Sequence, residues 1–525
     1  MSRRYLRSNA FKYSYSEAGY PERPQDIVTF RCTRNPSGTQ ASAQHFFQSS
    51  NFCGIMRTIS GAQLAEHKSR QSCWLAVHGK VYDVTGFIND HPGGAGLLLK
   101  SAGKDATSAY QSIHNPELIS ETLPQQALLG EVDTSTIPVE QQESDVASIG
   151  QQEAQSEYPA LSSIINVDGF EQVAQRYLSP EGWAYYSSSA EDETSKQDNA
   201  RLFRMLKLRP RVLRDVRAIT TSTKILGSDS SVPFFICPTG LAKYAHAKAE
   251  LNLASAAGAE NVHQIIPTSP SMSLEQITEA RSSPIQTQYL QVYVNRDKEK
   301  ALSLIRRAEK AGVKGLFITV DSPVLGKREK DDRLKALSLG SSAPNAGVAK
   351  IASSTLLNPG LKWQDLDWIR SATKLPLVVK GVQTVEDAVL AYKHGLDAIY
   401  LSNHGGRSQD TAQAPILTLL EIRKHAPELI KNKKIEIYVD GNIRRGTDVI
   451  KCLALGATAV GIGRPCLYSM TGGYGEEGVK HMISILKSEL LVNMGLIGAT
   501  SIDELVPDMI NTMRAEMEVF GGVKL

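Results

Sequence analysis

The stretch from Ile435 to Pro465, IEIYVDGNIRRGTDVIKCLALGATAVGIGRP, decides the fold. Its two β-branched runs, IEIYVDG (435–441) and AVGIGR (459–464), each end in a glycine close to an arginine, in DGNIRRG and GIGRP. Glycine lets backbone N–H groups approach closely, and a guanidinium adds a charged fork, a pairing that suits a phosphate. Runs of the same kind recur upstream: PFFICPTG (233–240), NVHQIIPT (261–268), IQTQYLQVYV (285–294), GLFITVD (315–321), PLVVKG (376–381) and AIYLSN (398–403). Between them lie helical stretches such as DKEKALSLIRRAEKAG and TVEDAVLAYKHG, each closed by a glycine suited to a C-cap. Eight such alternations fit a (β/α)8 TIM barrel with right-handed crossovers, and a doubly wound open sheet is the alternative. The polar residues decide for the barrel. Nearly every run ends in a group that hydrogen-bonds or ionises: Thr239, Thr268, Gln291 with Tyr293, Thr319 with Asp321, Lys380, Asn403 with His404, Asp440 and Arg464. Barrel chemistry sits at that end of the strands, with phosphate after strands 7 and 8. Arg444 and Arg464 are thus the expected phosphate anchors, and Gly441 and Gly463 the points of close approach.

Working outward, SNHGGRSQD sets His404 three residues before Arg407, a base beside a carboxylate clamp, with Asp321 as its charge partner. Upstream, VHGKVYDVTGFINDHPGG leads to His91 in an H-P-G-G turn, and His114 follows 23 residues later across an apolar stretch with Leu97, Leu98 and Leu99. Two histidines on opposite lips of an apolar slot can fill both axial positions of a heme iron, which then passes electrons and leaves no open site for oxygen. His78 is expected on the surface of a strand.

The 525 residues divide by composition into a tail (1–55), this module (56–131), a polar linker (132–157) and the barrel (158–525). The tail opens with Arg3, Arg4, Arg7 and Lys12 against Glu17 alone, which reads either as a mitochondrial transit peptide or as a basic tail. A net charge of +3 gives no call for nucleic acid. Six scattered cysteines without a C-x-x-C pair argue against a disulfide framework or zinc site. No apolar run reaches the ~18 residues of a membrane span. Residues 325–362 form a long loop expected to gate the site.

Residues 57–131 resemble a cytochrome b5-type heme domain, an α+β fold, which implies heme b with His91 and His114 as iron ligands. The runs WAYYSSSAEDE, LQVYV, TVDSPVLGKREKD, LVVKGV, SNHGGR, VDGNIRRGTDV and GIGRP resemble the FMN-dependent 2-hydroxy acid oxidase and dehydrogenase family over about 160–515. The resemblance implies that Tyr185, Arg328 and Arg407 hold the substrate carboxylate. It implies that His404 takes a proton with Asp321 behind it, that Tyr293 contacts the substrate oxygen, and that Lys380 faces the reduced flavin. Thr239, Gln291, Thr319, Ser402, Asp440, Gly441, Arg444, Gly463 and Arg464 would line FMN. The fusion of the two modules implies oxidation of an (S)-2-hydroxy acid, L-lactate or a larger analogue, with electrons passing through heme b to cytochrome c. The resemblance of the barrel implies a homotetramer, and the basic N-terminal stretch leaves a mitochondrial intermembrane-space location expected, with the cytoplasm as alternative. An oxidase using O2 and a non-enzymatic heme redox carrier are the competing readings.

The chain departs from the family pattern at four positions. Pro267 stands where a flavin-contacting serine is usual and has no N–H to donate, with Thr268 as its expected substitute. Gly240 and Ser269 replace larger residues, which predicts room for a substrate larger than lactate unless neighbouring loops refill it. Asn442 replaces a glycine and tolerates positive φ.

Overall fold

Alternating apolar residues in SCWLAV and KVYD pair as an antiparallel hairpin, Ser72–Val77 with Lys80–Asp83. Its two-residue turn needs positive φ at both positions, and His78 (φ 52°) and Gly79 (φ 76°) supply it. His78 is therefore exposed as expected, but in a turn and not on a strand. The computed structural model describes residues 57–88, 90–91, 95–137, 158–339, 357–431, 435–523 and 525. The expected transit peptide, Pro92–Gly94 of the H-P-G-G turn, residues 138–157 of the linker and 340–356 of the gating loop lie outside them. Every described residue belongs to one unit, Met56–Leu525.

The hairpin is the centre of a five-stranded sheet that starts with Thr58–Ser60 and includes Leu128–Asp133. Short helices, Ala95–Ser101, Thr107–Gln111 and Leu118–Thr122, carry the slot over its buried face. The module runs past residue 131, where the linker was expected to begin. Val132 and Asp133 complete the last strand, Thr136 accepts the N–H of Gly61 at 2.7 Å, and Ile137 packs on Ile59, Leu64 and Val81. A polar average over 132–157 hid one inward valine and one buried isoleucine.

The eight runs form eight parallel strands in a closed barrel: β1 (Phe234–Ile236), β2 (His263–Ile266), β3 (Gln288–Val292), β4 (Leu316–Thr319), β5 (Leu377–Val382), β6 (Ala398–Leu401), β7 (Glu436–Val439) and β8 (Ala459–Ile462). Pairing of Val460 with Phe234 and of Ile462 with Ile236 closes it. Side chains alternate along a strand, so every second residue points inward. One inward layer is a plug of Phe235, Ile265, Tyr289, Phe317, Val378, Tyr400 and Tyr438. Phe235 meets Tyr400 and Tyr438 edge-on, each with ring centroids 5.5 Å apart. The tyrosine hydroxyls are satisfied inside: Tyr289 donates to the Ile225 carbonyl at 2.8 Å and Tyr438 to Glu436 at 2.7 Å. Two residues further along the same strands stand Gln291, Thr319, Lys380, Ser402 and Asp440. The chemistry thus occupies the inward layer directly above an aromatic floor. Among the described residues no helix is long and apolar enough to cross a membrane.

Candidate active site

A continuous cavity of about 410 Å³ runs from the slot of the N-terminal module to the C-terminal mouth of the barrel. Tyr185, Tyr293, Arg328, His404 and Arg407 all line it, so the five expected substrate contacts converge.

His404 sits at φ 58°, an unfavourable backbone region for a residue with a Cβ, held by its N–H to Ser402 Oγ at 3.0 Å. Its Nδ1 lies 2.9 Å from Asp321 Oδ1, which leaves Nε2 for a substrate. Asp321 is wholly enclosed, with Lys380 Nζ at 3.7 Å. Burial alone would raise its pKa, but the His404 and Lys380 charges outweigh burial and pull it down to about 2. Lys380 is raised in turn: Asp321 and Asp440 more than offset its desolvation. Gly381 makes this approach possible, because a Cβ there would stand 2.5 Å from the Asp321 Cβ. Burial and then Asp321 push Tyr293 up to about 12, keeping its hydroxyl protonated as a hydrogen-bond donor.

Arg328 and Arg407 each lie 5.1 Å from the ring centroid of Tyr185. Arg407 spends one nitrogen on the carbonyls of Tyr185 (2.7 Å) and Ser188 (2.9 Å). Burial, then Arg328, draws it down to about 9. Such a site favours an incoming carboxylate, which would relieve both effects.

The residues fit the expected cofactors. Thr239 Oγ1 and Asp440 Oδ1 are buried without hydrogen-bond partners, two groups that a ligand in the mouth would satisfy. Burial raises the Asp440 carboxyl even though Lys380 and Ser402 act against it. Nothing but the Cys237 Cβ, at 3.9 Å, lies near the position of a Cβ on Gly463, so backbone is open to the cavity there. In the other module, His91 and His114 face each other with ring centroids 6.0 Å apart. A heme bound in the slot would be held by His91 and His114 and would supply one-electron transfer. Desolvation, then His91 and Lys243, lowers His114 to about 3, so it is neutral and able to ligate, and its Nδ1 has no hydrogen-bond partner. Asn115 positions that corner by accepting from the N–H groups of Glu117 and Leu118. Leu75, Val84, Phe87, Leu98, Ile113 and Ile119 wall the slot.

Several expectations change. Thr319 and Ser402 are buried and bond to lining residues: Thr319 accepts from Gln291 Nε2 at 2.9 Å, and Ser402 donates to Asp440 at 3.0 Å. These bonds orient the Gln291 amide and the Asp440 carboxylate. Arg444 pairs with Glu171 at 2.8 Å, and Arg464 donates to the carbonyls of Tyr186, Ser188 and Gly405, yet both line the cavity. Thr268 does not replace the serine missing at Pro267. Its hydroxyl donates to the Gln291 carbonyl at 2.7 Å and accepts the Tyr293 N–H at 2.9 Å. The space gained at Gly240 is refilled: a Cβ there would meet the Ser269 carbonyl oxygen at 2.8 Å. Ser269 itself lines the cavity, and its hydroxyl is buried without a partner.

Sequence reasoning missed Lys196 and Asn199, both on the helix Thr194–Met205 and both lining the cavity. Asn199 and Asn403 exchange amide hydrogen bonds of 2.9 and 3.0 Å, pinning the His404 loop. Lys196, drawn down to about 8 by burial and Arg464, donates to the Ser187 carbonyl. The spacing of lysine and asparagine on one face of a helix that follows the SSSAEDE run was the available signal.

Comparison with known proteins finds matches for both modules. Residues 174–512 match the FMN-dependent dehydrogenase family, and residues 60–133 match the cytochrome b5-like heme/steroid binding domain. The chain is 40% identical over 455 residues to an L-lactate dehydrogenase (cytochrome) of Wickerhamomyces anomalus, covering 86% of this chain and 79% of that protein. It is 41% identical over 364 residues to a peroxisomal (S)-2-hydroxyacid oxidase of Arabidopsis thaliana, covering 67% of this chain and 98% of that one. An arginine-to-lysine variant of flavocytochrome b2 superposes with a TM-score of 0.64 at 40% identity, covering 70% of this chain and 91% of that chain. The chain belongs to the FMN-dependent dehydrogenase family, and carries a cytochrome b5-like heme domain ahead of its barrel.

Proposed function

We propose that the chain oxidises an (S)-2-hydroxy acid, L-lactate or a larger analogue, to the 2-oxo acid and passes the electrons through heme b to cytochrome c. The observation that carries this reading is the single cavity joining His404, Arg407 and Tyr185 to His91 and His114. FMN, once bound, takes up two electrons, and heme b relays them one at a time. Arg407 and Arg328 hold the substrate carboxylate over Tyr185, and Tyr293 donates to the oxygen on the reacting carbon. His404 accepts a proton at Nε2, while Asp321 fixes its tautomer and balances the imidazolium. Thr239, Gln291, Lys380, Asp440, Gly441, Arg444, Gly463 and Arg464 hold the FMN, with Thr319 and Ser402 behind them. Ser269, with its unpartnered hydroxyl, admits a side chain longer than a methyl group, including one that bears a polar atom.

The resemblance to flavocytochromes supports a homotetramer, and the basic N-terminal stretch supports a mitochondrial, intermembrane-space location over the cytoplasm. The experiment is anaerobic mixing of holoenzyme with lactate, longer and aromatic 2-hydroxy acids while flavin and heme absorbance are followed. Heme that dithionite reduces and no 2-hydroxy acid reduces would overturn the reading. The 41% identity to an oxidase over the barrel alone supports a second reading, transfer to O2. Peroxide equal to substrate consumed, with cytochrome c unreduced, would favour that reading.

A further inference from the structure

Three cations of the barrel meet one stretch of the heme module, Gln111–Leu123, which contains His114. Lys243, in the rim loop after β1, donates to the Gln111 carbonyl at 2.6 Å and the His114 carbonyl at 3.5 Å. Lys300 and Arg307 belong to the helix Lys298–Lys310, between β3 and β4. They are seven residues apart, two turns along one face. Lys300 donates to the Glu121 carbonyl at 2.8 Å and the Leu123 carbonyl at 3.5 Å, at the end of the helix Leu118–Thr122. Those carbonyls have no partner within their own helix, so a cation is well placed there. Arg307 spans the two modules: it pairs with Glu117 at 3.0 Å and with Glu121 on the heme side, and with Glu275 of the barrel at 2.9 Å.

The barrel side of this contact is stiff. Glu250, fully buried, accepts the N–H groups of Ala242 (3.3 Å), Ser271 (3.0 Å) and Met272 (3.2 Å), which ties the rim loops after β1 and β2 together. Those loops carry Lys243 and the Pro270 carbonyl, to which Asn115 donates at 3.5 Å. The ionic partners themselves are not buried: Glu117 and Glu121 keep 57% and 41% of their side-chain surface, so salt reaches them. The contact is thus directional, with cations on the barrel side and carboxylates on the heme side, Glu275 of the barrel sharing Arg307 with them, and it is open to screening.

We propose that Lys243, Lys300 and Arg307 form an electrostatic clamp that docks Gln111–Leu123, and with it His114, on the barrel rim in the position used for flavin-to-heme electron transfer. The three are positioning residues; none of them lines the cavity. The clamp deepens the proposed function and rests on its flavin-to-heme step. Because the contacts are polar and half-exposed, the docked and released arrangements differ by little free energy, and ionic strength shifts their balance.

The test compares holoenzyme with the double variant Lys300→Gln/Arg307→Gln and with the conservative Arg307→Lys. Electrons enter either from a 2-hydroxy acid or by deazaflavin-driven photoreduction of the FMN, and flavin and heme reduction are timed separately. In the double variant, flavin reduction by substrate keeps its rate while heme reduction slows roughly five- to tenfold at low salt. That difference shrinks between ~0.1 M and ~1 M salt, where the screening length falls from ~10 Å to ~3 Å. Arg307→Lys recovers most of the rate. Heme reduction unchanged in the double variant, or slowed only in parallel with flavin reduction, would overturn the clamp. If the double variant loses heme or FMN, the unmodified holoenzyme decides: heme reduction insensitive to salt overturns the clamp, and salt-slowed heme reduction supports it. Flavin inert to every 2-hydroxy acid, with photoreduced flavin still feeding heme in a salt-dependent way, sinks the proposed function and leaves the clamp standing.

Discussion

Asp321→Asn is the sharpest perturbation of the proton-handling pair. Asparagine keeps the shape and leaves an oxygen to accept from His404 Nδ1, and the tight wall at Gly381 leaves the new side chain nowhere else to go. What changes is charge. The native carboxyl is drawn from 3.8 to about 2, chiefly by His404 and Lys380 working against burial. At ~1.4 kcal/mol per pH unit, that preference for the ionised form is on the order of 2 kcal/mol, and the group is fully enclosed, so solvent does not dilute it. If that sum stabilises a cationic His404 during proton transfer, its loss slows flavin reduction roughly ten- to a hundredfold. Stopped-flow flavin bleaching by lactate, at matched FMN and heme content, measures it. A rate within about twofold of the native enzyme would refute the role given to Asp321. Stability carries a second signature. A depressed carboxyl pKa contributes stability that is present above ~4 and is lost as pH falls toward 2. The variant should therefore be less stable than the native protein to denaturant near neutrality, with the gap closing below pH ~4.

Gly240→Ala places a Cβ against the Ser269 carbonyl, so it should cost about 1–3 kcal/mol and raise KM more than it lowers kcat, as read by thermal melting and steady-state kinetics. An isolated heme module ending at Glu131 should melt well below one ending at Ile137, since the shorter piece loses two strand residues and a buried isoleucine worth about 2–4 kcal/mol, as followed by far-UV circular dichroism. Arg444→Gln should weaken FMN binding about tenfold, because a charge-assisted contact to phosphate is lost, as read by recovery of flavin fluorescence on dilution. Equal FMN affinity in that variant would assign Arg444 to its Glu171 pair alone.

The barrel was legible because each strand is a short β-branched run that ends in chemistry, and local order of that kind survives in a single sequence. Substrate contacts were legible for the same reason: His404 and Arg407 lie on one loop, and Tyr293 and Asp321 close their own strands. Depth was not legible. Period-two alternation says that Thr319 and Ser402 point inward, but only packing shows that they bond to Gln291 and Asp440. The refilling of Gly240 by a loop 29 residues away had no local trace. Nor did the contacts of Lys243, Lys300 and Arg307 with a segment some 130–190 residues upstream, since each of these residues alone reads as a solvated surface charge.

The aromatic plug has a consequence for how the protein tolerates change. Because Tyr289, Tyr400 and Tyr438 lie one inward step below Gln291, Ser402 and Asp440, the plug sets the height of those groups as a shim sets a lens. On β5, Val378 does the same for Lys380. A slip of that strand by a single residue would aim Val379 at the mouth and turn Lys380 toward the helices. Drift in the plug is therefore heard first in the optics of the flavin and only later in the melting curve.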